Sequence, residues 1–325
     1  MPPLISVIIV DFNSGNRLKK CLKHLENQSF KDFEVIIINN GSAEYSPQDF
    51  KAINIDVDLI QAEKNLGFAA GCNLAAETAK GRWLAFLNPD AYADENWLKE
   101  FVTATDLYDD VKAFGSTQIN ADNPKLIDGA GDVYHILGIG YRGYFGWDVK
   151  YLPPEGEVFA PCGAGAFYNA EVFNSLSGFD ERFFCYGEDV DLGFRLRLAG
   201  GRCIQLSKAI VEHEGSAITG RHSYFTIYHG HRNRIWLAYK NTPFWLYWPF
   251  LPLHLLANLY LLIRAPKAGI AKPYLRALWD GYRGLFKFRA DRRKIQRNKQ
   301  VSYTSLARAI AWSPLKISKR EGKNW

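Results

Sequence analysis

Cysteine is scarce and shows no pairing pattern. Cys21, Cys72, Cys162, Cys185 and Cys203 make an odd five in 325 residues, with no C-x-x-C among them. That excludes a disulfide framework and a zinc ribbon, and fits a reducing compartment. The stretch Met1 to Val10 has no basic run ahead of its apolar residues, which stop at Asp11, so no secretory signal is expected there. The chain also lacks an internal repeat, a low-complexity tract, a Walker loop and a dinucleotide fingerprint. What it has is 47% apolar and 23% charged residues, a globular composition. The length suggests about two domains, or one with a substantial appendage. Charge is divided: residues 264–325 carry 17 Lys/Arg against three acids, +14, which leaves −8 on residues 1–263. Such a module suits an anionic surface, membrane or nucleic acid; a solvated basic tail is the plainer alternative.

Ile5 to Val10 is a short, β-branched, nearly continuous apolar run, the pattern of a strand buried on both faces of a parallel sheet. Leu18, Cys21, Leu22 and Leu25 follow at helical spacing within residues 14–27. Phe33 to Ile38 predicts a second strand running into the turn Asn39-Asn40-Gly41-Ser42, and residues 57–60 a weaker third. Asn73 to Lys80 predicts a short helix, Trp83 to Leu87 a strand, and Val190 to Ala199 a helix closed by Gly200-Gly201. Strand and helix alternate through the first hundred residues, so this half reads as doubly wound α/β. Ligands of such sheets bind beyond the carboxyl ends of the strands, where residues 11–13, 39–44 and 88–90 are polar.

Three clusters carry chemistry. Asn88-Pro89-Asp90 directly follows a buried strand, so Asp90 is a rigid oxygen ligand for Mg²⁺ or Mn²⁺, or else the tripeptide is an Asx turn. Glu188 and Asp189 lie in the densest acidic cluster, at the start of a helix; they cap it, or crowding raises a pKa and makes a general base. His213 ends another apolar stretch, as a structural residue or a ligand. Asn65 to Asn73 is a glycine-containing loop suited to close backbone approach.

Taken in order, Val-Ile-Ile-Val-Asp-Phe-Asn (7–13), Asn-Asn-Gly-Ser-Ala-Glu (39–44), Asn-Leu-Gly-Phe-Ala-Ala-Gly-Cys-Asn (65–73), Leu-Asn-Pro-Asp-Ala (87–91), Gly-Phe-Asp-Glu (178–181) and Tyr-Gly-Glu-Asp-Val-Asp-Leu (186–192) resemble glycosyltransferase family 2, most of all its bacterial rhamnosyltransferase branch. The resemblance covers roughly residues 4–240. It implies an α/β GT-A fold, a Rossmann-like, doubly wound mixed sheet: a catalytic domain over 1–240, with a nucleotide-binding half (1–110) and an acceptor half (111–240). Residues 241–325 would be a basic, aromatic, helical membrane-associating extension. It implies that Asp11, Asn13, Asn39, Ser42 and Glu44 line the nucleotide pocket, with Asn39 and Glu44 each standing where the family usually has Asp. Asn65, Gly67, Phe68, Gly71 and Asn73 would flank the donor, and Asn88 and Asp90 match the metal motif. His213 would be a further metal or diphosphate ligand, Asp189 the catalytic base and Glu188 its acceptor-side neighbour. Arg232 and Arg234 would contact the diphosphate, or else be surface charges on a helix.

Phe244 to Ile263 is twenty residues without a formal charge, nominally a bilayer span, but Pro249, Pro252, His254 and Asn258 interrupt it. A single span would export the +14 tail, against the positive-inside tendency, so a segment lying in or re-entering from the cytoplasmic face is expected. Leu275, Leu278, Trp279, Tyr282, Leu285 and Phe286 recur at helical spacing among Arg276, Arg283, Lys287 and Arg289, as in a basic amphipathic helix on anionic lipid; a helix packed on the catalytic domain is the alternative. The expectation is therefore an enzyme on the cytoplasmic face of the inner membrane, peripheral or monotopic. With Mn²⁺ or Mg²⁺ it would transfer L-rhamnose from a dTDP-sugar to a lipid-linked or polysaccharide acceptor in surface-glycan or O-antigen synthesis. A UDP-sugar-dependent hexosyl or galactofuranosyl transferase is the alternative within the class, and a non-catalytic basic membrane-binding protein the alternative outside it. No nucleic-acid reading motif is present.

Overall fold

The computed structural model describes residues 1–42, 45, 50, 53–215, 220 and 223–323. All seven residues of β1 (Ile5–Asp11) are buried. A strand with no polar face belongs in the middle of a covered sheet. β1 accordingly lies between β2 (Phe33–Asn40) and β4 (Trp83–Leu87), parallel to both, with β3 (Val57–Ala62) outside β2. Ile5, Val7 and Ile9 pack against Leu18, Leu22 and Leu25 of α1 (Asn16–Glu26). Ile8 and Val10, on the other face, meet Ala69, Cys72 and Ala75 of α2 (Phe68–Thr78). The helix expected from Asn73 begins five residues earlier. Gly71 reads as a loop residue, but it sits inside the helix because a Cβ there would lie 2.8 Å from Val10 Cγ1.

After β5 (Ala91–Ala93) and α3 (Trp97–Leu107), residues 111–220 supply strands of which only the last has an apolar run to announce it: β6 (Ala113–Asn120), β7 (Ile127–Ala130), β8 (Asp132–His135), β9 (Ile139–Arg142), β10 (Gly156–Val158), β11 (Gly165–Asn169) and β12 (Cys203–His213). The main sheet has ten strands, in the order β10-β12-β6-β11-β4-β1-β2-β3, with β5 paired to β12 and β7 to β6; β8 and β9 form a separate hairpin. β11 runs antiparallel to β4 and β6, so the sheet is mixed. Helices α4 (Ala170–Ser175) and α5 (Glu188–Leu198) lie in this half, and Leu192 and Leu196 of α5 join the α2 side of the core.

α6 (Tyr224–Asn241) is tied to α5 by buried charge. Lys240 Nζ donates to Asp180 (2.7 Å) and Asp191 (2.8 Å), and Asp191 also accepts from Arg195 (2.8 Å) and Asn241 (2.7 Å). Beyond it, α7 (Phe244–Arg264) runs unbroken through Pro249 and Pro252. Among the described residues it is the one helix long and apolar enough to cross a membrane. Its polar residues face the protein: His254 Nε2–H donates to the Ile136 carbonyl (2.7 Å), and Asn258 Nδ2 donates to Tyr282 (2.7 Å). Its other face is bare, with Phe244 71% and Ile263 67% exposed. In α8 (Ala271–Arg283), Tyr274, Ala277 and Gly281 are buried, while Leu275 and Trp279 face solvent among basic side chains. α9 (Arg289–Arg297), α10 (Tyr303–Ala309) and α11 (Pro314–Lys319) follow. The tail returns to the β8–β9 hairpin: Ala311 N–H donates to the Tyr134 carbonyl (2.9 Å), and the Arg320 carbonyl accepts from Tyr144 N–H (2.7 Å).

Lys240→Ala should be costly, because it leaves two buried carboxylates without their shared cation. A loss of about 3–5 kcal/mol is expected, read by urea denaturation; a loss within the range of surface substitutions would show that Lys240 does not anchor α5.

Candidate active site

A cleft of about 690 Å³ opens at the carboxyl edge of the sheet, and Asp90, His213, Glu188 and Asp189 all border it. Chain distance is overcome by strand pairing. β5 begins directly after Asp90 and runs antiparallel to β12, which sets His213 opposite Ala91. His213 Nε2 then lies 3.4 Å from Asp90 Oδ1, and the Asn88 amide 3.5 Å from the same nitrogen. On the ring's far side, Nδ1 is 2.7 Å from Asp128 Oδ2 of β7, which also accepts from Arg142 of β9. Burial by itself would lower the His213 pKa, but the bonds to Asp128 and Asp90 outweigh it and raise it. Burial likewise opposes ionisation of Asp90, and His213 more than offsets it, so the carboxyl titrates below its ordinary value. A rigid carboxylate, an imidazole and an amide at one sheet edge fit a Mn²⁺ or Mg²⁺ that keeps its remaining positions for phosphate and water.

The amino end of α5 also borders the cleft. Gly187 takes a left-handed conformation (φ 85°) and turns Glu188 and Asp189 into the cleft. Asp189 accepts Gly163 N–H on Oδ2 (3.1 Å) and Val190 N–H on Oδ1 (2.8 Å). Burial raises its pKa against these two bonds. Glu188 is pushed well up by burial and by the charge of Asp189, and its Oε2 has no hydrogen-bond partner among the described residues. Asp132, at the start of β8, is 3% exposed, and its Oδ1 has no hydrogen-bond partner among the described residues either. Ligand atoms of Asp132, Cys162 and Asp189 all lie within 4.8 Å of one another. Burial, then Asp189, drives the Asp132 pKa well up, with Arg142 opposing.

Asn65, Gly67 and Phe68 also border the cleft. Gly67 has φ 86°, and a Cβ there would lie 2.6 Å from the Phe184 ring, so only glycine fits. The loop is laced by Asn40, which donates to Asn65 Oδ1 (3.1 Å) and the Gly67 carbonyl (3.2 Å) and accepts Leu66 N–H (2.8 Å). Asp11, Asn13, Asn39 and Ser42 gather at the ends of β1 and β2, beside the cleft rather than on it. Asp11 accepts from Ser14 and Tyr45, Asn13 N–H donates to Ser42 Oγ (2.8 Å), and Ser42 N–H donates to Asn39 (3.1 Å). Glu44 lies outside the described residues.

Three expected contacts are placed elsewhere. Gly71 packs on Val10. Asn73 is turned away, bonded to both backbone groups of Phe179 (2.9 Å each) and to Glu181 (3.0 Å), where it braces the 178–181 turn. Arg232 is buried, donating to the Phe183 carbonyl (3.0 Å) and stacking over Trp236 (4.2 Å). Its neighbour Arg234 does border the cleft, and it donates to Asn258 of α7. Asn40 lies within the 39–44 motif without being singled out there, and Asp128, Asp132, Arg142, Cys162 and Arg320 are not marked by any motif in the sequence. For two of them a signal exists in Asp128-Gly-Ala-Gly-Asp132, a pair of acids flanking a glycine-rich strand junction.

The mixed sheet is that of a GT-A glycosyltransferase, and the Asp90–His213 pair and the Glu188–Asp189 pair border one cleft in it. The sequence model of Glycosyl transferase family 2 matches residues 6–176, and that of Glycosyl transferase family group 2 matches residues 154–264. The chain belongs to glycosyl transferase family 2. It is 29% identical over 268 residues to the O-antigen biosynthesis protein RfbC of Myxococcus xanthus, an alignment that takes in 75% of this chain and only 20% of that protein. It is 26% identical over 271 residues to the N-acetylglucosaminyl-diphospho-decaprenol L-rhamnosyltransferase of Mycobacterium tuberculosis, covering 75% of this chain and 87% of the relative. Among solved structures, the mannosyltransferase PcManGT of Pyrobaculum calidifontis, in complex with GDP-Man and Mn²⁺, superimposes with a TM-score of 0.53 at 14% identity, covering 91% of this chain and 88% of that one.

The carboxyl pair makes a testable difference to stability. Above the ordinary aspartate range, near pH 4, an unfolded chain has released the proton that folded Asp132 keeps, so stability falls as pH rises toward that group's folded pKa. Asp132→Asn removes this linkage. Thermal unfolding at stepped pH should show a shallower decline in Tm between about pH 4 and 7 than in the wild type; equal slopes would mean that Asp132 holds no proton.

Proposed function

We propose that this chain is a metal-dependent, inverting glycosyltransferase whose donor is dTDP-L-rhamnose and whose acceptor is lipid-linked, acting at the cytoplasmic face of a membrane. The observation that carries this reading is that Asp90, His213 and Asp189 all line a single cleft. An acceptor hydroxyl entering that cleft would meet Asp189, whose carboxylate is aimed by Gly163 and Val190 N–H and kept basic by burial. Asp189 would take the proton as that oxygen attacks the anomeric carbon, and Glu188 beside it faces the acceptor side. Mn²⁺ or Mg²⁺ held by Asp90 and His213 would supply Lewis-acid stabilisation of the departing diphosphate. Arg142 and Arg234 bring further positive charge to the cleft. Rhamnose, O-antigen synthesis and a polyprenyl-linked acceptor are supported by the names of the Mycobacterium and Myxococcus relatives.

Membrane placement is supported by the bare face of α7 and the adjoining stripe of Leu275, Trp279 and Phe286, interleaved with Arg276, Arg283 and Lys287. Arg234, hydrogen-bonded to Asn258 on the inner face of α7, joins that helix to the cleft.

Asp189→Asn should lower transfer about 10²–10⁴-fold with donor KM retained, measured as nucleoside diphosphate release across a panel of nucleotide sugars with Mn²⁺ and Mg²⁺. A response confined to UDP-sugars would replace the rhamnosyl assignment with the hexosyl or galactofuranosyl one. Full activity of Asp189→Asn would remove the base from the mechanism. For the membrane, Leu256→Glu combined with Trp279→Glu should release the protein from vesicles containing anionic lipid; undiminished binding would refute the docking face.

A further inference from the structure

His213 rests on a buried partner that belongs to none of the recognised motifs. Asp128 is fully buried on β7, and His213 is 5% exposed at the end of β12. Backbone ladders hold the histidine on both sides, with Ala91 of β5 and Asn120 of β6 as its cross-strand neighbours. Only the ring's orientation and its tautomer are left to the side chains. Asp128 Oδ2 lies 2.7 Å from Nδ1 and already accepts from Arg142 Nη1. It therefore meets the imidazole as an acceptor, and the hydrogen of that contact belongs to Nδ1. Arg142 Nη1, 3.5 Å from Nδ1, is itself a donor and does not compete for that hydrogen. The other ring nitrogen, Nε2, lies 3.4 Å from Asp90 Oδ1, where a divalent cation would take the place of a proton between them.

We propose that Asp128 is the positioning residue of the metal site: it fixes the ring plane and tautomer of His213, so that Nε2 and Asp90 Oδ1 are presented together to a divalent cation. The proposal rests on the reading that Asp90 and His213 hold that ion. Arg142 steadies Asp128 from the other side. A carboxylate behind a ligating histidine also raises the ligand's basicity, and losing such a partner typically weakens metal binding about 10–100-fold.

The experiment titrates Mn²⁺ into the full chain, followed by the electron paramagnetic resonance of the free ion, in separate runs with UDP and dTDP. Asp128→Ala should weaken Mn²⁺ binding about 10–100-fold, and Asp128→Asn, which keeps an acceptor but loses the charge, should fall between it and the wild type. Nucleotide affinity without metal should not move, and Arg142→Gln should affect Mn²⁺ less than either Asp128 variant. Folded Asp128 variants that bind Mn²⁺ as tightly as the wild type would overturn the proposal while leaving Asp90 and His213 as ligands. A wild type that binds no Mn²⁺ under either condition would overturn both. Should the variants fail to fold, the wild type alone decides: with Mg²⁺ and nucleotide bound, the His213 side-chain nitrogen shifts must show Nδ1 protonated, and the opposite tautomer refutes the assignment.

Discussion

Carboxylates taken out of water are the constraint around which this molecule is arranged. A buried acid must find a cation, find several donors or keep its proton, and all three solutions occur within one half of the chain. Asp191 has Lys240, Arg195 and Asn241, and serves to hold α5 against α6. Asp128 and Asp90 share His213 between them. Asp189 receives two backbone N–H groups and stays the better anion, whereas Asp132 and Glu188 each leave an oxygen with no hydrogen-bond partner among the described residues. The first solution yields stability. The other two leave titratable groups bordering a cleft, so buried acids only a few residues apart are told apart by their partners and not by their spacing.

The amino-terminal half was largely legible because its strands are buried on both faces. A continuous apolar run as short as Ile5 to Val10 is satisfied in few places besides the middle of a covered sheet. The half beyond residue 110 was not legible in this way. Ala113 to Asn120 and Ile127 to Ala130 are strands by virtue of their neighbours: they add to an existing sheet whose ladder supplies the order that their Gly, Ser, Thr and Gln residues do not encode locally.

The site shows the same division. Asp90, His213, Glu188 and Asp189 could be nominated from motif order, because each sits where an element starts or stops. Asp128, Asp132 and Arg142 could not, since their chemistry exists only after β7, β8 and β9 fold back over the sheet. Asn73 and Arg232 mark the converse limit. Their residue types suit a ligand contact, yet an amide and a guanidinium suit a buried turn and a row of backbone carbonyls equally well, and here the interior takes them. The mixed fate of the α8 residues has a similar cause: a helix with apolar residues on more than one face can pack and present at once, so Tyr274 is buried while Trp279 is bare.

The tail that returns to the β8–β9 hairpin gives the molecule an order of completion. Ala311 adds to the edge at Tyr134, and Arg320 reaches the wall of the cleft some 180 residues after the hairpin it closes. A ribosome that has made the sheet, the edge bearing Asp90 and His213, and the Glu188–Asp189 pair has therefore not yet made the enclosure. The apolar face of α7 emerges before that last wall, so the cleft is an open vessel until it is shut by the residues synthesised afterwards.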